Sequence, residues 1–155
     1  MKKVNWKIIL ISASVTIGSS LIGFLLSLGS KEIYESLNLP AFAPPSWLFG
    51  VAWPVIYVLM GVSLYLIMVN DSAIKGSAIE IFFIQLVVNL LWPLAFFRLK
   101  LFIVALVILM ILIALVIIMI KIFYGINKTS AYLQIPYLAW ITFATVLNFA
   151  VVLMN

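Results

Sequence analysis

Five long apolar stretches separated by polar breaks dominate the pattern of this chain. The stretches cover residues 6–28, 47–69, 79–97, 101–120 and 133–153. A helix crosses the hydrocarbon core of a bilayer with about 20 apolar residues, and each stretch has about that length. The pattern therefore predicts an all-α membrane protein, a five-transmembrane-helix bundle that forms one domain over residues 1–155.

The longest break, residues 29–46, has two parts with different patterns. In the first part, Ile33, Tyr34 and Leu37 recur at helical spacing, so one or two amphipathic turns are expected. The second part contains three prolines, which lack the amide donor and disfavour helix at the residue before them. We expect a short helix followed by an extended segment that leads into the second span.

Polar and aromatic side chains within three of the spans recur every three or four residues, which is one face of a helix. Amides are costly in hydrocarbon, so such faces are expected to meet protein, a cavity or a ligand. The fourth span has no polar side chain over residues 101–120, and we expect it at the periphery of the bundle. The three faces consist of Gly50, Trp53, Tyr57 and Gly61; Gln85, Asn89, Trp92 and Phe96; and Tyr137, Trp140, Ala144 and Asn148.

These three faces are expected to converge beneath the loop 29–46. The start of the second span and the ends of the third and fifth spans all lie on the same side of the membrane as that loop. At about 1.5 Å of rise per residue, Trp53 lies about 9 Å below the start of its span and Asn89 about 12 Å below the end of its own. An aromatic cavity with a few amides suits a flat apolar ligand, and the loop would be its lid. Asn89 and Asn148 are equally consistent with plain hydrogen bonds between helices.

The composition excludes most conventional chemistry. Only 8% of the residues are charged, against roughly 25% in soluble domains, so lipid is the expected solvent. The chain has no cysteine and no histidine, and no metal site, required cofactor or conventional nucleophile–base pair is predicted. The net charge of +5 comes from residues near the span ends, where they would contact lipid phosphates rather than nucleic acid.

Lysine and arginine are distributed unequally between the two sides, which predicts a cytoplasmic N-terminus by the positive-inside rule. One side would hold Lys2, Lys3, Lys7, Lys75, Lys121 and Lys128, and the other Lys31, Arg98 and Lys100.

Three sequence blocks carry a resemblance to a known family. They are PPSWLFGVAWPVIYVLMG at residues 44–61, NLLWPLAFF at 89–97 and PYLAWITFATVLN at 136–148. In type and order they resemble the signature of the TspO/MBR family, the translocator proteins, tryptophan-rich sensory proteins or peripheral benzodiazepine receptors. The count of five helices agrees over nearly the whole chain.

The resemblance implies a membrane receptor, often a homodimer, that binds porphyrins such as protoporphyrin IX or haem, and isoquinoline-carboxamide or benzodiazepine-type ligands. Trp53, Asn89, Trp140 and Ala144 would line its pocket, and Tyr34 is a looser match. Trp53 and Trp140 would lie closest to any light-dependent oxidation of protoporphyrin IX, which makes them the candidate catalytic residues. Together with the inward faces, the candidate ligand-binding set is Tyr34, Trp53, Tyr57, Asn89, Trp92, Tyr137, Trp140, Ala144 and Asn148.

Two alternatives and one departure accompany this prediction. The chain could instead transport tetrapyrroles or other lipophilic molecules, or serve as a structural subunit of a larger complex. Animal members carry a cholesterol-recognition pattern at the end of the fifth helix, but here Phe149 replaces its tyrosine and residues 150–155 contain no basic side chain. Cholesterol is therefore not expected as a ligand, and a bacterial plasma membrane is the expected location.

Overall fold

The computed structural model describes residues 4–155, and every regular element in that range is helical. The five long helices are α1 (Trp6–Leu26), α3 (Trp47–Met68), α4 (Lys75–Pro93), α5 (Phe102–Ile126) and α7 (Ile135–Met154). Two short helices, α2 (Ser30–Ser36) and α6 (Lys128–Tyr132), lie in connections, and a π-helical segment, Leu94–Arg98, continues α4. Five helices are long and apolar enough to cross a membrane, which confirms the predicted fold class.

Several helix ends differ from the predicted span ends. The third span begins at Lys75 instead of 79, and the fourth continues to Ile126 instead of ending at 120. Glu80, which falls within the predicted third span, is exposed on the second turn of α4. The apolar pattern misplaced these ends because a long charged side chain can lie on a helix and still reach the polar boundary. Lys2 and Lys3, which enter the predicted topology, lie outside the described residues.

The bundle has a defined order of neighbours. Helix α1 packs against α3 and α4, α4 packs against α5, and α5 packs against α7. Helices α3 and α7 meet through large aromatic side chains. The ring centroids of Trp53 and Tyr137 are 6.5 Å apart, and those of Phe49 and Trp140 are 5.6 Å apart.

The fourth span buries one face and leaves most of its other residues exposed or half-buried, as expected for a helix that meets lipid on most sides. Helix α5 packs between α4 and α7, and α1 is the least buried of the five spans. The sequence did not show which face of α5 meets protein, because a helix that is apolar on all sides does not reveal it. The buried face of α5 consists of Ala105, Leu109, Leu112, Val116, Met119 and Phe123.

Small residues allow α1 to approach α3 closely. Ser12, Thr16 and Ser19 are the buried residues of α1. A Cβ atom at Gly61 of α3 would lie 2.8 Å from Thr16 Oγ1, so only glycine fits there without a shift.

The loop between α1 and α3 folds as its pattern predicts. Helix α2 begins after Gly29, whose φ of 78° is a left-handed conformation that glycine adopts readily. Tyr34 is buried, and Ile33 and Leu37 pack partly against the core. Beyond α2, the amide of Asn38 donates to Asn155 Oδ1 at 2.9 Å, and Asn155 Nδ2 donates to the Asn38 carbonyl at 3.0 Å. These bonds hold the loop against the end of α7.

Candidate functional site

A cavity of about 760 Å³ lies between α1, α3 and α4, under α2. Its volume falls within the range of pockets that bind small molecules, roughly 300–1,000 Å³. The deep part is formed by Trp53 and Tyr57 of α3 and by Asn89 and Trp92 of α4. Spacings of three and four residues bring each pair onto one helical face.

Aromatic rings cover most of the deep wall. The Trp53 ring centroid lies 6.1 Å from that of Tyr57 and 6.2 Å from that of Trp92, both at tilted angles. Trp92 in turn lies 5.4 Å from Phe96, centroid to centroid. Such a surface offers flat apolar faces to a ligand and few competing polar groups.

A chain of hydrogen bonds runs from the cavity into the bundle. Tyr57 Oη donates to Asn89 Oδ1 at 2.8 Å, and Asn89 Nδ2 donates to Tyr137 Oη at 3.0 Å. Tyr137 Oη then donates to Gln85 Oε1 at 2.9 Å. These hydrogen bonds join α3, α4 and α7. One amide hydrogen of Asn89, a residue that lines the cavity, is left without a partner among residues 4–155.

The second amide of interest, Asn148, connects helices. Trp92 Nε1 donates to Asn148 Oδ1 at 3.2 Å, and Asn148 Nδ2 donates to the Phe102 carbonyl at 2.9 Å. Asn148 does not line the cavity. Its role in the structure is therefore the bond between helices that the sequence left open as an alternative.

Five of the nine candidate ligand residues line the cavity: Tyr34, Trp53, Tyr57, Asn89 and Trp92. The other four, which are on α7, do not line it: Tyr137, Trp140, Ala144 and Asn148.

Trp140 of α7 packs against other aromatic rings and does not line the cavity. Its ring packs edge-on against Phe49 at 5.6 Å and lies 5.8 Å from the ring of Phe143, centroid to centroid. Its Nε1 is buried without a hydrogen-bond partner among residues 4–155. The helical spacing placed Trp140 on the inward face of its span, but not its position around the bundle, which depends on the packing of α7 against α5.

Helix α1 supplies a wall that the sequence prediction did not assign to the cavity. Ser20, Gly23, Phe24 and Ser27 all line it. Ser19 and Gly23 lie four residues apart in the sequence, a spacing of small residues that also fits internal packing of helices. A Cβ atom at Gly23 would lie 3.4 Å from Tyr57 Oη, so the absence of a side chain there leaves space beside the polar chain.

Helix α2 covers the cavity and is fastened to the start of α3. Tyr34 Oη donates to the Pro44 carbonyl at 2.9 Å, and the Tyr34 ring lies 5.2 Å from that of Phe49. Ser46 Oγ donates to Glu35 Oε1 at 2.8 Å. Burial raises the pKa of the Tyr34 phenol, so this group stays neutral and keeps its proton for the bond to Pro44.

Comparison with known proteins identifies the family. The model of the TspO/MBR family matches residues 9–154. The chain belongs to the TspO/MBR family. It is 42% identical to the tryptophan-rich protein TspO of Archaeoglobus fulgidus over 126 residues, which cover 79% of each chain. It is 35% identical to the tryptophan-rich sensory protein of Cereibacter sphaeroides, over 80% of this chain and 77% of that one. The human translocator protein is 31% identical, over 76% and 72% respectively.

The three blocks that resemble the TspO/MBR signature have different positions relative to the cavity. Residues 44–61 and 89–97 contribute much of its wall, whereas residues 136–148 contribute none. The third block instead supports the wall from behind, through Tyr137 in the hydrogen-bond chain and Trp140 against Phe49.

Proposed function

We propose that this multi-pass membrane protein is a receptor that binds porphyrin-like tetrapyrroles in the cavity between α1, α3 and α4. The observation that carries the proposal is the aromatic deep wall of a cavity of about 760 Å³. A flat macrocycle can stack on Trp53 and Trp92, and stacking adds to the free energy of apolar burial. Isoquinoline-carboxamide and benzodiazepine-type ligands also have flat rings, and their carbonyl oxygen can accept the remaining amide hydrogen of Asn89.

The proposal includes light-dependent oxidation of bound protoporphyrin IX, with dioxygen as the oxidant. Indole is an electron-rich ring, so it can donate an electron to a photoexcited porphyrin stacked beside it, and the reduced porphyrin passes that electron to dioxygen to give superoxide. The indole radical cation then regains an electron from the ground-state porphyrin. The net step oxidises the porphyrin by one electron, reduces dioxygen by one electron and restores the tryptophan. Trp53 lines the cavity and is the main candidate for this role. Trp140 is the second candidate, but Phe49 lies against it. We therefore expect a larger contribution from Trp53.

A titration in the dark followed by illumination tests both parts. Purified protein in detergent is titrated with protoporphyrin IX, and loss of the porphyrin absorption band is then followed under fixed light at saturating protein. Trp53→Phe keeps an aromatic face, so we expect most of the binding to remain while bleaching slows. Trp140→Phe should have a smaller effect, and Trp6→Phe is the control because Trp6 is exposed at the start of α1.

Two results would contradict the proposal. Absence of saturable binding by the wild-type protein would remove the receptor function. Bleaching at the wild-type rate in both Trp53→Phe and Trp140→Phe would remove the photochemical part and leave a binding protein.

Transport of tetrapyrroles or other lipophilic molecules is a second candidate function. Helix α1 favours it, because one face of α1 lines the cavity while large apolar side chains outside that face, such as Leu21 and Leu25, are exposed. A displacement of this one helix would connect the cavity with the lipid. Flux of a porphyrin into sealed vesicles, measured with and without the protein, distinguishes a transporter from a receptor.

The proposal also includes the homodimer that the family resemblance implies and a plasma-membrane location with a cytoplasmic N-terminus. Light scattering during size-exclusion chromatography in detergent measures the mass of the assembly. Reporter fusions at each end of the chain measure the orientation, and the lysine-rich side is expected inside.

A further inference from the structure

The polar groups of the cavity differ between its deep wall and its rim. The deep wall presents the neutral groups of Tyr57 and Asn89, while two charged residues of α2, Lys31 and Glu35, line the rim. Both rim residues are exposed, at the level where α2 covers the bundle. A ligand in this cavity therefore has an uncharged environment at one end and charged groups at the other.

The two rim charges are not equivalent, although they lie one helical turn apart. A lysine and a glutamate at this spacing often form an ion pair. Here the Glu35 carboxylate instead accepts a hydrogen bond from the hydroxyl of Ser46 at the start of α3. Lys31 is not part of an ion pair with any residue in the range 4–155, where Lys75 and Asp71 form the ion pair observed. The ammonium group of Lys31 remains available to a ligand.

The surroundings of Lys31 also favour an anion. Ser27 and Ser30, at the corner between α1 and α2, line the cavity with it and carry hydroxyl donors. Arg98, the last residue of the π-helical segment, does not line the cavity, and its Nη2 donates to the Leu25 carbonyl at 2.8 Å. The opposing charges on α2 are Glu35, which is bonded to Ser46, and Glu32, which does not line the cavity.

We propose that Lys31, with the hydroxyls of Ser27 and Ser30, binds the carboxylate of a cavity ligand and selects flat aromatic acids over their neutral esters. This inference rests on the proposed receptor function and specifies its ligand class. The ring system stacks on Trp53 and Trp92, and the acid group points to the rim beside α2. Lys31 thus determines specificity, while the deep wall supplies most of the affinity.

The test compares protoporphyrin IX, which carries two carboxylates, with its dimethyl ester. Dissociation constants are measured in the dark, in a neutral detergent without anionic lipid, so that lipid phosphates do not compete for Lys31. Lys31→Met retains the apolar stem and removes the charge. We expect it to weaken binding of the acid about fivefold, as for one partly exposed ion pair, and to change ester binding by less than about twofold.

Two further variants separate this local effect from the general charge of the protein. Lys100→Met removes a cation near the same end of the bundle that does not line the cavity, so neither ligand should be affected. Glu35→Gln preserves the acceptor for Ser46 and removes the opposing charge, so it should tighten binding of the acid alone. Added salt should reduce the preference for the acid in the wild type, because it screens exposed charges.

The quantity that decides is the effect of Lys31→Met on the acid divided by its effect on the ester, because detergent partitioning cancels in this ratio. A ratio near one, with both ligands bound by the wild type, would overturn the role of Lys31 and leave the receptor function intact. If the wild type binds neither ligand, the receptor function fails, and the role of Lys31 fails with it. An equal effect of Lys100→Met would also overturn the local role of Lys31.

Discussion

Asn89 links ligand binding to folding, and Asn89→Leu separates the two contributions. The sequence alone suggests an amide that faces a ligand, whose replacement would weaken binding with little effect on stability. The structure changes that expectation, because Asn89 bonds both to Tyr57 at 2.8 Å and to Tyr137 at 3.0 Å. Leucine has a similar volume, so its main effect is the loss of these two bonds rather than a new void.

The size of the effect follows from the partners that remain. Tyr137 keeps its bond to Gln85, whereas Tyr57 loses the acceptor of its hydroxyl proton. A hydrogen bond contributes roughly 0.5–1.5 kcal/mol net, so the loss of two lowers the free energy of unfolding by about 1–3 kcal/mol. Ligand affinity should fall by about tenfold as well, if a ligand carbonyl accepts the remaining amide hydrogen.

Equilibrium unfolding in mixed micelles measures the stability effect, with tryptophan fluorescence as the signal. A double-mutant cycle with Tyr57→Phe isolates one of the two bonds, since phenylalanine lacks the hydroxyl donor. In the Tyr57→Phe background, Asn89→Leu should cost less by about 1 kcal/mol, the contribution of one hydrogen bond. Titration with protoporphyrin IX in the same detergent gives the change in affinity.

Two observations would refute this reasoning. If Asn89→Leu unfolds at the wild-type midpoint, the buried hydrogen bonds of Asn89 contribute nothing measurable to stability. If its cost is the same with and without the Tyr57 hydroxyl, the 2.8 Å contact is not a stabilising bond.

Three further substitutions test other features of the packing by their effect on the free energy of unfolding. Gly61→Ala should lower it by about 1–3 kcal/mol, because the new Cβ atom would lie 2.8 Å from Thr16 Oγ1; Gly18→Ala, which has open space, is the matched control, and an equal loss there would contradict the steric explanation. Gln134→Leu should raise the free energy of unfolding by about 1–3 kcal/mol, since both side-chain polar atoms of Gln134 are buried without a partner among residues 4–155; a lower value than that of the wild type would refute this. Arg98→Met should cause a smaller decrease, because the guanidinium donates to two carbonyls at the end of α1 from an exposed position, and an unchanged midpoint would show that these bonds add nothing.

The sequence was most informative where a property is local. Each span could be recognised from its own apolar length, because the thickness of the bilayer sets that length independently of the other helices. The turn at Ile33, Tyr34 and Leu37 was likewise visible from helical spacing and is present in α2. The faces of α3 and α4 were assigned correctly to the interior, since Tyr57, Asn89 and Trp92 are all buried.

Only the tertiary structure decided whether the inward face of a helix lines the cavity or packs against another helix. Trp140 and Asn148 have the same spacing signal as the cavity residues, yet they pack behind the wall, while Ser20 and Gly23 of α1 form part of it. The physical reason is that lipid and the protein interior are similarly apolar, so hydrophobic spacing in a membrane helix identifies a face but not its partner. Close contacts of small residues and hydrogen bonds between helices select the partner, as Gly61 with Thr16 and Asn89 with Tyr137 do here. The sequence by itself determined five spans and a family, and the packing of α1 and α7 determined where the cavity lies.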